Sequence, residues 1–293
     1  MPSLKQIRTK ISSVKGTRRI MSAMKLISAV KLQRAQSLLL SFRPYSEVFR
    51  ETTMSLALRC DPDLHPLLKR SRERKRLHVV IMTSDRGLCG SFNSNLLRKL
   101  ETFLVTDAKS YEHVSLSFIG RRGRDHFAKS RFNVIQSYIG INERNFKDIS
   151  IKVSLKLTKE FIKGESDEVL LVYNYFRSAI SNVITFQRLL PIEPDDLNSE
   201  IKPIDYLYEP TRKEVLDSVL PEYIDVSVLR AINESVTSEH ASRMTAMENA
   251  TRNAEDVIRR LTLLFNKTRQ AQITKELMDI VNGTEALSKG GVD

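Results

Sequence analysis

Two glycine-rich turns are the positions in this sequence best suited to hold a phosphate group. Gly87-Leu88-Cys89-Gly90 follows a short apolar run and precedes a helical pattern, which is where a phosphate-binding loop would lie. Neither this turn nor Gly120-Arg121-Arg122-Gly123 matches a dinucleotide or Walker sequence. We therefore interpret both as tight turns. A small-molecule enzyme with a ligand at Gly87–Gly90 stays open as an alternative.

Nucleophilic and metal-binding residues show no spacing that indicates a reaction. Cys89 lies at the predicted start of a helix, a position that can lower a thiol pKa, but no histidine or acid lies at a defined spacing from it. The five histidines have no metal-ligand spacing with one another or with the two cysteines. We predict no catalytic residue, no metal site and no cofactor. Only two cysteines, Cys60 and Cys89, exclude a disulfide framework and favour a reducing compartment.

The two turns lie in a region whose sequence pattern predicts alternating strands and helices. Short apolar runs are found at 77–83, 114–119, 168–176 and 183–190. Helical patterns separate them, at 91–106, 121–129 and 145–163. This alternation predicts a small α/β domain over 77–190 with a mostly parallel sheet.

Two long windows on either side of that region contain few helix breakers. Only Gly16 interrupts the stretch from Ser3 to Arg43, and neither glycine nor proline occurs between Glu222 and Asn282. At 1.5 Å per residue these windows allow helices of about 60 Å and about 90 Å. Average globular helices have three to four turns, so helices of this length need a partner along them.

The C-terminal window carries the pattern of a coiled coil. Apolar and small residues recur there at intervals of three and four. The predicted seam is Met247, Ala250, Ala254, Val257, Leu261, Leu264, Thr268 and Ala271. A matching stripe at Leu4, Ile7, Ile11 and Val14 then slips by one residue, which suits an uneven pairing. We predict that the two terminal helices pack against each other in antiparallel orientation.

The excess of positive over negative charge lies in the first quarter of the chain. The whole chain has a net charge of +12, but residues 1–76 contain 18 lysines and arginines against five acids, and the first acid is Glu47. Such a field attracts a polyanion: nucleic acid, acidic lipid or an acidic protein surface. A basic, acid-poor N-terminus is also typical of a mitochondrial presequence, although no break in the pattern precedes Pro44.

Three interpretations of this basic helix remain open at this point: a solvated charged face, a nucleic-acid-binding helix, or a helix that faces an acidic protein partner. No helix-turn-helix, zinc or RNP signature supports the second. A basic coiled-coil nucleic-acid-binding protein is therefore the alternative function. No run approaches the ~18 apolar residues of a membrane span, so we expect no transmembrane segment.

Four stretches of the sequence resemble the γ subunits of F-type ATP synthases. The first is 7–26, which includes Thr-Arg-Arg-Ile-Met-Ser-Ala-Met-Lys-Leu, and the second is Ser-Asp-Arg-Gly-Leu-Cys-Gly at 84–90. The others are Tyr-Leu-Tyr-Glu-Pro at 206–210 and Asn-Lys-Thr-Arg-Gln-Ala-Gln-Ile-Thr-Lys-Glu-Leu at 266–277. They follow the family's order. The connector 191–210 lacks the cysteine pair of chloroplast relatives, which makes the resemblance one to bacterial-type subunits.

The resemblance implies a mixed α-β fold: a long antiparallel coiled coil of the two terminal helices with a Rossmann-like domain between them. It also implies a non-catalytic rotor shaft that couples proton flow to ATP synthesis on the β subunits. The implied partners are the α3β3 hexamer, the ε subunit and the c ring, without nucleic acid. The implied location is the cytoplasmic face of the bacterial inner membrane, where the chain is peripheral and held only through the complex.

The sequence pattern and the resemblance together divide the chain, and the resemblance assigns contact residues. The predicted segments are a helix 1–58, a basic linker 59–76, the Rossmann-like domain 77–190, a connector 191–210, a helix 211–286 and a tail 287–293. The residues expected to contact the β subunits are Met24, Lys25, Arg269, Gln270 and Thr274. The residues expected to approach the c ring are Tyr206, Tyr208 and Glu209.

Overall fold

The computed structural model describes residues 3–69, 74–130, 132–193 and 206–289, with side chains up to residue 284 in the last range. The chain divides into two compact units. One consists of residues 28–245, and the other of the residues up to 27 together with those from 246 onward.

The described elements alternate between helices and strands in the middle of the chain. The helices are α1 (Leu4–Leu58), α2 (Phe92–Val105), α3 (Arg121–Phe127), α4 (Phe146–Ile162) and α5 (Arg212–Lys289). The strands are β1 (Arg76–Met82), β2 (His113–Ile119), β3 (Asn133–Tyr138), β4 (Glu168–Ser178) and β5 (Ser181–Leu190). Short 3-10 helices lie at Pro62–Leu64, Pro66–Leu68 and Asp107–Ser110.

The five strands form one sheet in the order β3-β2-β1-β4-β5. The first four are parallel, and β5 pairs antiparallel with β4. This confirms the predicted, mostly parallel sheet. β3 was not predicted, because its residues are only partly buried at the edge of the sheet and polar Gln136 and Ser137 interrupt the apolar run.

Both faces of the sheet are covered by apolar side chains. Val79 and Ile81 of β1 contribute to a core with α2, and Val80 and Met82 contribute to a core on the other face, which includes residues of α4 and α5. All four side chains are at most 1% exposed. At about 1.5–3 kcal/mol for each fully buried side chain of this size, β1 is a main contributor to the stability of the domain.

Each long helix continues through a proline. α1 includes Pro44 and ends at Leu58, and α5 includes Pro221 and begins at Arg212, ten residues before the window without breakers. A proline inside a helix removes one backbone hydrogen bond and costs about 3 kcal/mol. The flanking Leu220 and Tyr223 are 0% and 3% exposed, so their packing against the core opposes that cost.

None of the described helices is sufficiently apolar over 18 residues to cross a membrane.

Candidate functional site

The two helix ends in the unit of residues 4–27 and 246–289 run antiparallel. Arg18 Nη1 lies 3.3 Å from Glu255 Oε1, and Lys25 Nζ lies 3.4 Å from Glu248 Oε1. A step of seven residues forward on α1 therefore corresponds to seven residues backward on α5. All four side chains are about a third exposed or more, so water screens both pairs and they contribute little to stability. The ion pairs thus set the register of the helices more than their stability.

The contact stripe of α5 follows part of the predicted seam. Met247 and Ala254 are 5% and 7% exposed, whereas Val257 and Leu264 are 39% and 42% exposed. The stripe continues through half-buried residues, which are Ala250, Ile258, Leu261, Phe265 and Thr268. The stripe therefore passes through Ile258 and Phe265 and not through Val257 and Leu264. The last residue of the predicted seam, Ala271, is exposed. A helix with 3.6 residues per turn drifts against a strict seven-residue repeat, which accounts for the shift.

Lys25 and Met24 lie beside the α5 stripe on α1. Both side chains are half-buried, and the Lys25 ammonium is already paired with Glu248. Glu248 also accepts a hydrogen bond from Arg252 Nη2 at 2.8 Å. The hydrogen bond from Arg252, and then that from Lys25, lower the pKa of the Glu248 carboxyl. Lys25 is thus held in position along the helix pair.

Arg269, Gln270 and Thr274 are exposed on the last part of α5. The same residue pairing places Leu4 opposite Arg269, so the residues from 270 onward extend beyond the start of α1. About 30 Å of helix separates these residues from the level of Met24 and Lys25. The predicted contacts to the β subunits therefore lie in two separate places along the helix pair. Large apolar side chains are 48–63% exposed there, namely Ile273, Leu277, Met278, Ile280 and Val281.

Tyr206 and Tyr208 lie against the end of α1 and the start of α5. The Tyr206 hydroxyl is 3.1 Å from Ser55 Oγ, and the Arg59 guanidinium is 5.0 Å from the centre of the Tyr206 ring. The Arg212 guanidinium lies 4.6 Å from the centre of the Tyr208 ring. Cations over aromatic faces contribute about 0.5–1 kcal/mol at exposed sites. These contacts fix the backbone between the two tyrosines.

The residues beside these tyrosines face outward. Leu207 is fully exposed and Glu209 is exposed. The segment 206–209 therefore presents an apolar side chain and a carboxylate at the surface of the chain.

The polar groups around the Gly87–Gly90 turn form hydrogen bonds with one another. Asn93 Nδ2 donates hydrogen bonds to Ser84 Oγ at 2.7 Å and to Cys89 Sγ at 3.2 Å, and Asn93 Oδ1 accepts one from the Ser84 N–H. Leu88 and Gly90 have φ values of 63° and 60°, the left-handed conformation of tight turns. Cys89 is 2% exposed. In the part of the chain that the structure describes, no group of three His, Cys, Asp or Glu side chains could hold a metal ion.

A serine, a histidine and a glutamate form a hydrogen-bonded array that no sequence pattern indicated. His78 Nε2 lies 2.8 Å from Ser117 Oγ, and His78 Nδ1 lies 3.0 Å from Glu160 Oε2. The hydrogen bond from His78 lowers the pKa of Glu160. Ser117 and His78 are only 3% and 1% exposed, so a substrate has no access and the array joins β1, β2 and α4.

A buried ion pair within residues 28–245 joins both long helices to the sheet. Arg43 of α1 donates two hydrogen bonds of 2.8 Å to the carboxylate of Glu234 on α5, whose side chain is 0% exposed. Glu234 also accepts the Phe176 N–H of β4 at 2.9 Å, and Arg43 donates to the Phe176 carbonyl at 2.6 Å. Sequence periodicity gave no signal for this pair, since its members are 191 residues apart.

Comparisons with known proteins give consistent results over nearly the whole chain. The sequence profile of a family described as ATP synthase matches residues 3–287. An ATP synthase gamma chain of Anaeromyxobacter sp. (strain Fw109-5) is 45% identical, covering 98% of this chain and 100% of the relative. That of Geobacter metallireducens is 42% identical, covering 98% and 99%.

Solved structures have the same fold. The central stalk and c-ring structure of Tetrahymena thermophila mitochondrial ATP synthase aligns with a TM-score of 0.60 and 25% identity, over 79% of this chain and 99% of that chain. A chain of Euglena gracilis mitochondrial ATP synthase, described as OSCP/F1/c-ring in rotational state 3, aligns over 99% and 96% with a TM-score of 0.73 and 19% identity, a likeness of fold alone. With its long paired helices and central sheet, this chain belongs to the γ chain family of ATP synthases.

Proposed function

We propose that this chain is the central rotor shaft of a proton-driven ATP synthase. In this role it turns within a ring of three α and three β subunits and carries no catalytic residue itself. The antiparallel pairing of the helix ends, with Arg18 on Glu255 and Lys25 on Glu248, is the observation on which the proposal chiefly rests. Two helices held in fixed register form a stiff element that can transmit a turning force.

The partners follow from the family and from the charge of the chain. The Tetrahymena relative is described with its c ring, and the Euglena relative with F1. We assign this chain the α3β3 hexamer, the ε subunit and the c ring as partners. The 46 residues before Glu47 contain basic side chains but no acid, which suits an acidic loop of the β subunits. Nothing in the comparisons favours nucleic-acid binding.

Transmission requires the helices to be fixed to the domain that is turned. Arg43, Glu234 and the Phe176 backbone supply such a connection within residues 28–245. Because Glu234 is fully buried, a charge-assisted bond there is stronger than one at the surface. Contacts with the β subunits, in contrast, must form and break during rotation, and exposed Arg269 suits that requirement.

The contact residues are part of the same proposal. Met24 and Lys25 face the acidic β loop, and Arg269, Gln270 and Thr274 face the β catch region. Tyr206, Tyr208 and Glu209 approach the c ring, and exposed Leu207 supports an interface at that segment.

The functional segments are those given above, with helices 1–58 and 211–286 around the domain 77–190. We place the complex on the cytoplasmic face of a bacterial inner membrane, where this chain is peripheral.

Affinity purification of the tagged full chain from its own cells at moderate salt tests the proposal. We expect α and β in a ratio of three each to one copy of this chain, with ε and c. Recovery of the chain with DNA or RNA, with binding that falls steeply as salt is raised and without α or β, would instead favour the nucleic-acid alternative.

A further inference from the structure

A cavity of about 770 Å³ lies at the carboxyl ends of β1, β2 and β3, entirely within residues 28–245. We call it the strand-end cavity. Its lining includes Ile119, Arg121, Ile141, Arg144, Phe146 and Arg243. Sites for small molecules and cofactors have volumes of about 300–1,000 Å³, so the cavity has the size of a ligand site.

The cavity lies next to the position in the sheet where open α/β domains bind ligands, on the side of β2 and β3. The chain passes from β1 outward to β2 and β3, and then returns to β4 on the other side of β1, so the strand order reverses between β1 and β4. Open α/β sheets bind ligands in the crevice beyond the carboxyl ends of the strands where the order reverses. The loops after β1, β2 and β3 all contribute to the strand-end cavity.

Asp85 holds these three loops together. Its Oδ1 accepts a hydrogen bond from the Arg121 N–H at 2.9 Å, and its Oδ2 accepts the N–H groups of Gly140 and Ile141 at 2.8 and 2.9 Å. The carboxylate is thereby occupied by backbone donors and not by a cation. The cavity walls are thus fixed before any ligand binds.

Cations line the cavity in excess. Lys31, Arg86, Arg121 and Arg144 are exposed there, and within the described residues none of these side chains forms an ion pair. Arginine binds phosphate oxygens through parallel N–H groups, which makes it well suited to a phosphorylated ligand.

The acids of the lining do not offset these cations. Glu239 is paired with Arg243 at 2.7 Å, and Asp85 is occupied as described. Glu143, which is exposed, is the remaining acid of the lining.

The floor of the cavity adds apolar surface and a helix end. Ile119 and Phe146 are 1% and 4% exposed, and Ile141 is half-buried beside them. Phe146 begins α4, whose first turn carries no side-chain cap on its amides. The free N–H groups of a helix start favour an anion, in addition to the arginines.

We propose that the strand-end cavity binds a nucleoside di- or triphosphate. The phosphates lie between Arg121 and Arg144 near the start of α4, and the nucleoside lies on Ile119, Ile141 and Phe146. Four unpaired cations match a ligand with several negative charges, and the apolar walls match a ring system. This site is separate from the rotor role, because it needs no contact with α or β subunits.

Equilibrium binding of ADP, ATP and inorganic phosphate to the purified full chain tests the proposal. We expect saturable nucleotide binding at one site. It should weaken about tenfold in Arg121→Ala and in Arg144→Ala, since each removes a charge-assisted hydrogen bond. Arg177→Ala, a matched control at an exposed arginine outside the cavity, should bind as the wild type does. Absence of nucleotide binding, equal binding by all variants, or inorganic phosphate binding as tightly as ADP would overturn the proposal.

A second measurement uses the assembled complex and does not depend on the isolated chain. Photoreactive ADP should label peptides of this chain that contain residues 139–146, and Arg144→Ala should reduce that label while the labelling of β subunits stays unchanged. Labelling of β subunits alone would contradict a nucleotide site here and would leave the rotor function standing.

Discussion

Arg43 and Glu234, 191 residues apart in the sequence, form a two-bonded ion pair in which both residues also hydrogen-bond to the Phe176 backbone. The pair joins α1, α5 and β4 within residues 28–245. Removing one member of a buried pair leaves an uncompensated charge, which costs more than the pair itself contributes. This asymmetry provides a direct test of the connection.

Arg43→Ala should lower the free energy of unfolding of the full chain by about 3 kcal/mol, the lower end of the range for breaking a buried pair, because Glu234 is left buried with only the Arg230 guanidinium, 4.0 Å away, as a cation. The double variant Arg43→Met/Glu234→Leu should recover part of this loss. Urea denaturation measures both. Arg124→Ala, which removes the exposed pair with Asp125, is the control and should change stability by less than about 1 kcal/mol. A loss for Arg43→Ala as small as that of the control would contradict this account.

Met24→Lys should reduce the number of protons pumped per ATP hydrolysed while the complex still assembles. The substitution adds a cation next to Lys25, where we place an acidic loop of the β subunits, and a tighter contact there would hinder release during rotation. Proton pumping and ATP hydrolysis in reconstituted vesicles give the ratio. Ala23→Lys adds the same charge at an exposed neighbouring position and should leave the ratio unchanged. An unaltered ratio for Met24→Lys would remove Met24 from the contact set.

Arg269→Ala should lower torque and ATP turnover of the assembled complex, because a guanidinium that binds oxygens of the β subunits is lost. The expected decrease in turnover is about tenfold, the equivalent of one charge-assisted hydrogen bond. Lys267→Ala, also exposed on α5, provides a matched loss of charge and should have a smaller effect. Wild-type torque in Arg269→Ala would show that this arginine is not a contact.

The stability of the chain should decrease between about pH 6.5 and pH 4 in part because of His240. Burial, and then the nearby Arg243 and Lys31, lower the pKa of this imidazole from 6.5 to about 4. The unfolded chain therefore binds more protons than the folded chain in this interval. The contribution of His240 to the free energy of unfolding is fully present above pH 6.5. It declines by about 3 kcal/mol as the pH falls to about 4.

The variant His240→Gln removes the titration. Its free energy of unfolding, followed from pH 7.5 to pH 4, should show a shallower decline than that of the wild type. His126→Gln is the control, since the exposed His126 ring is paired with Glu101. Parallel curves for His240→Gln and the wild type would contradict the assignment to His240.

The parts of the fold that depend on local pattern were predictable. The apolar run of β1 and the three- and four-residue intervals in α5 identified the sheet and the long helix. β3 was not predictable in this way, because an edge strand is only half-buried and its sequence therefore lacks a continuous apolar run. The predicted helix 211–286 includes Pro221, and packing of Leu220 and Tyr223 against the core carries α5 through it.

Contacts between distant residues were not predictable from one sequence. Arg43 and Glu234, or the loops held by Asp85, come together only when the sheet and helices are assembled. The exact seam of α5 also depends on its partner, which selects Ile258 and Phe265 over Val257 and Leu264. Family resemblance, by contrast, was carried by short local motifs and indicated the function before any contact was known.

Rotation of this chain in the assembled complex tests the central claim most directly. Cys60 and Cys89 are buried, and Ile180 is 90% exposed, so Ile180→Cys provides a single accessible position for a bead. With α and β subunits immobilised, ATP should drive continuous rotation of the bead in one direction. ATP hydrolysis at the normal rate by such complexes while the bead stays still would contradict the account.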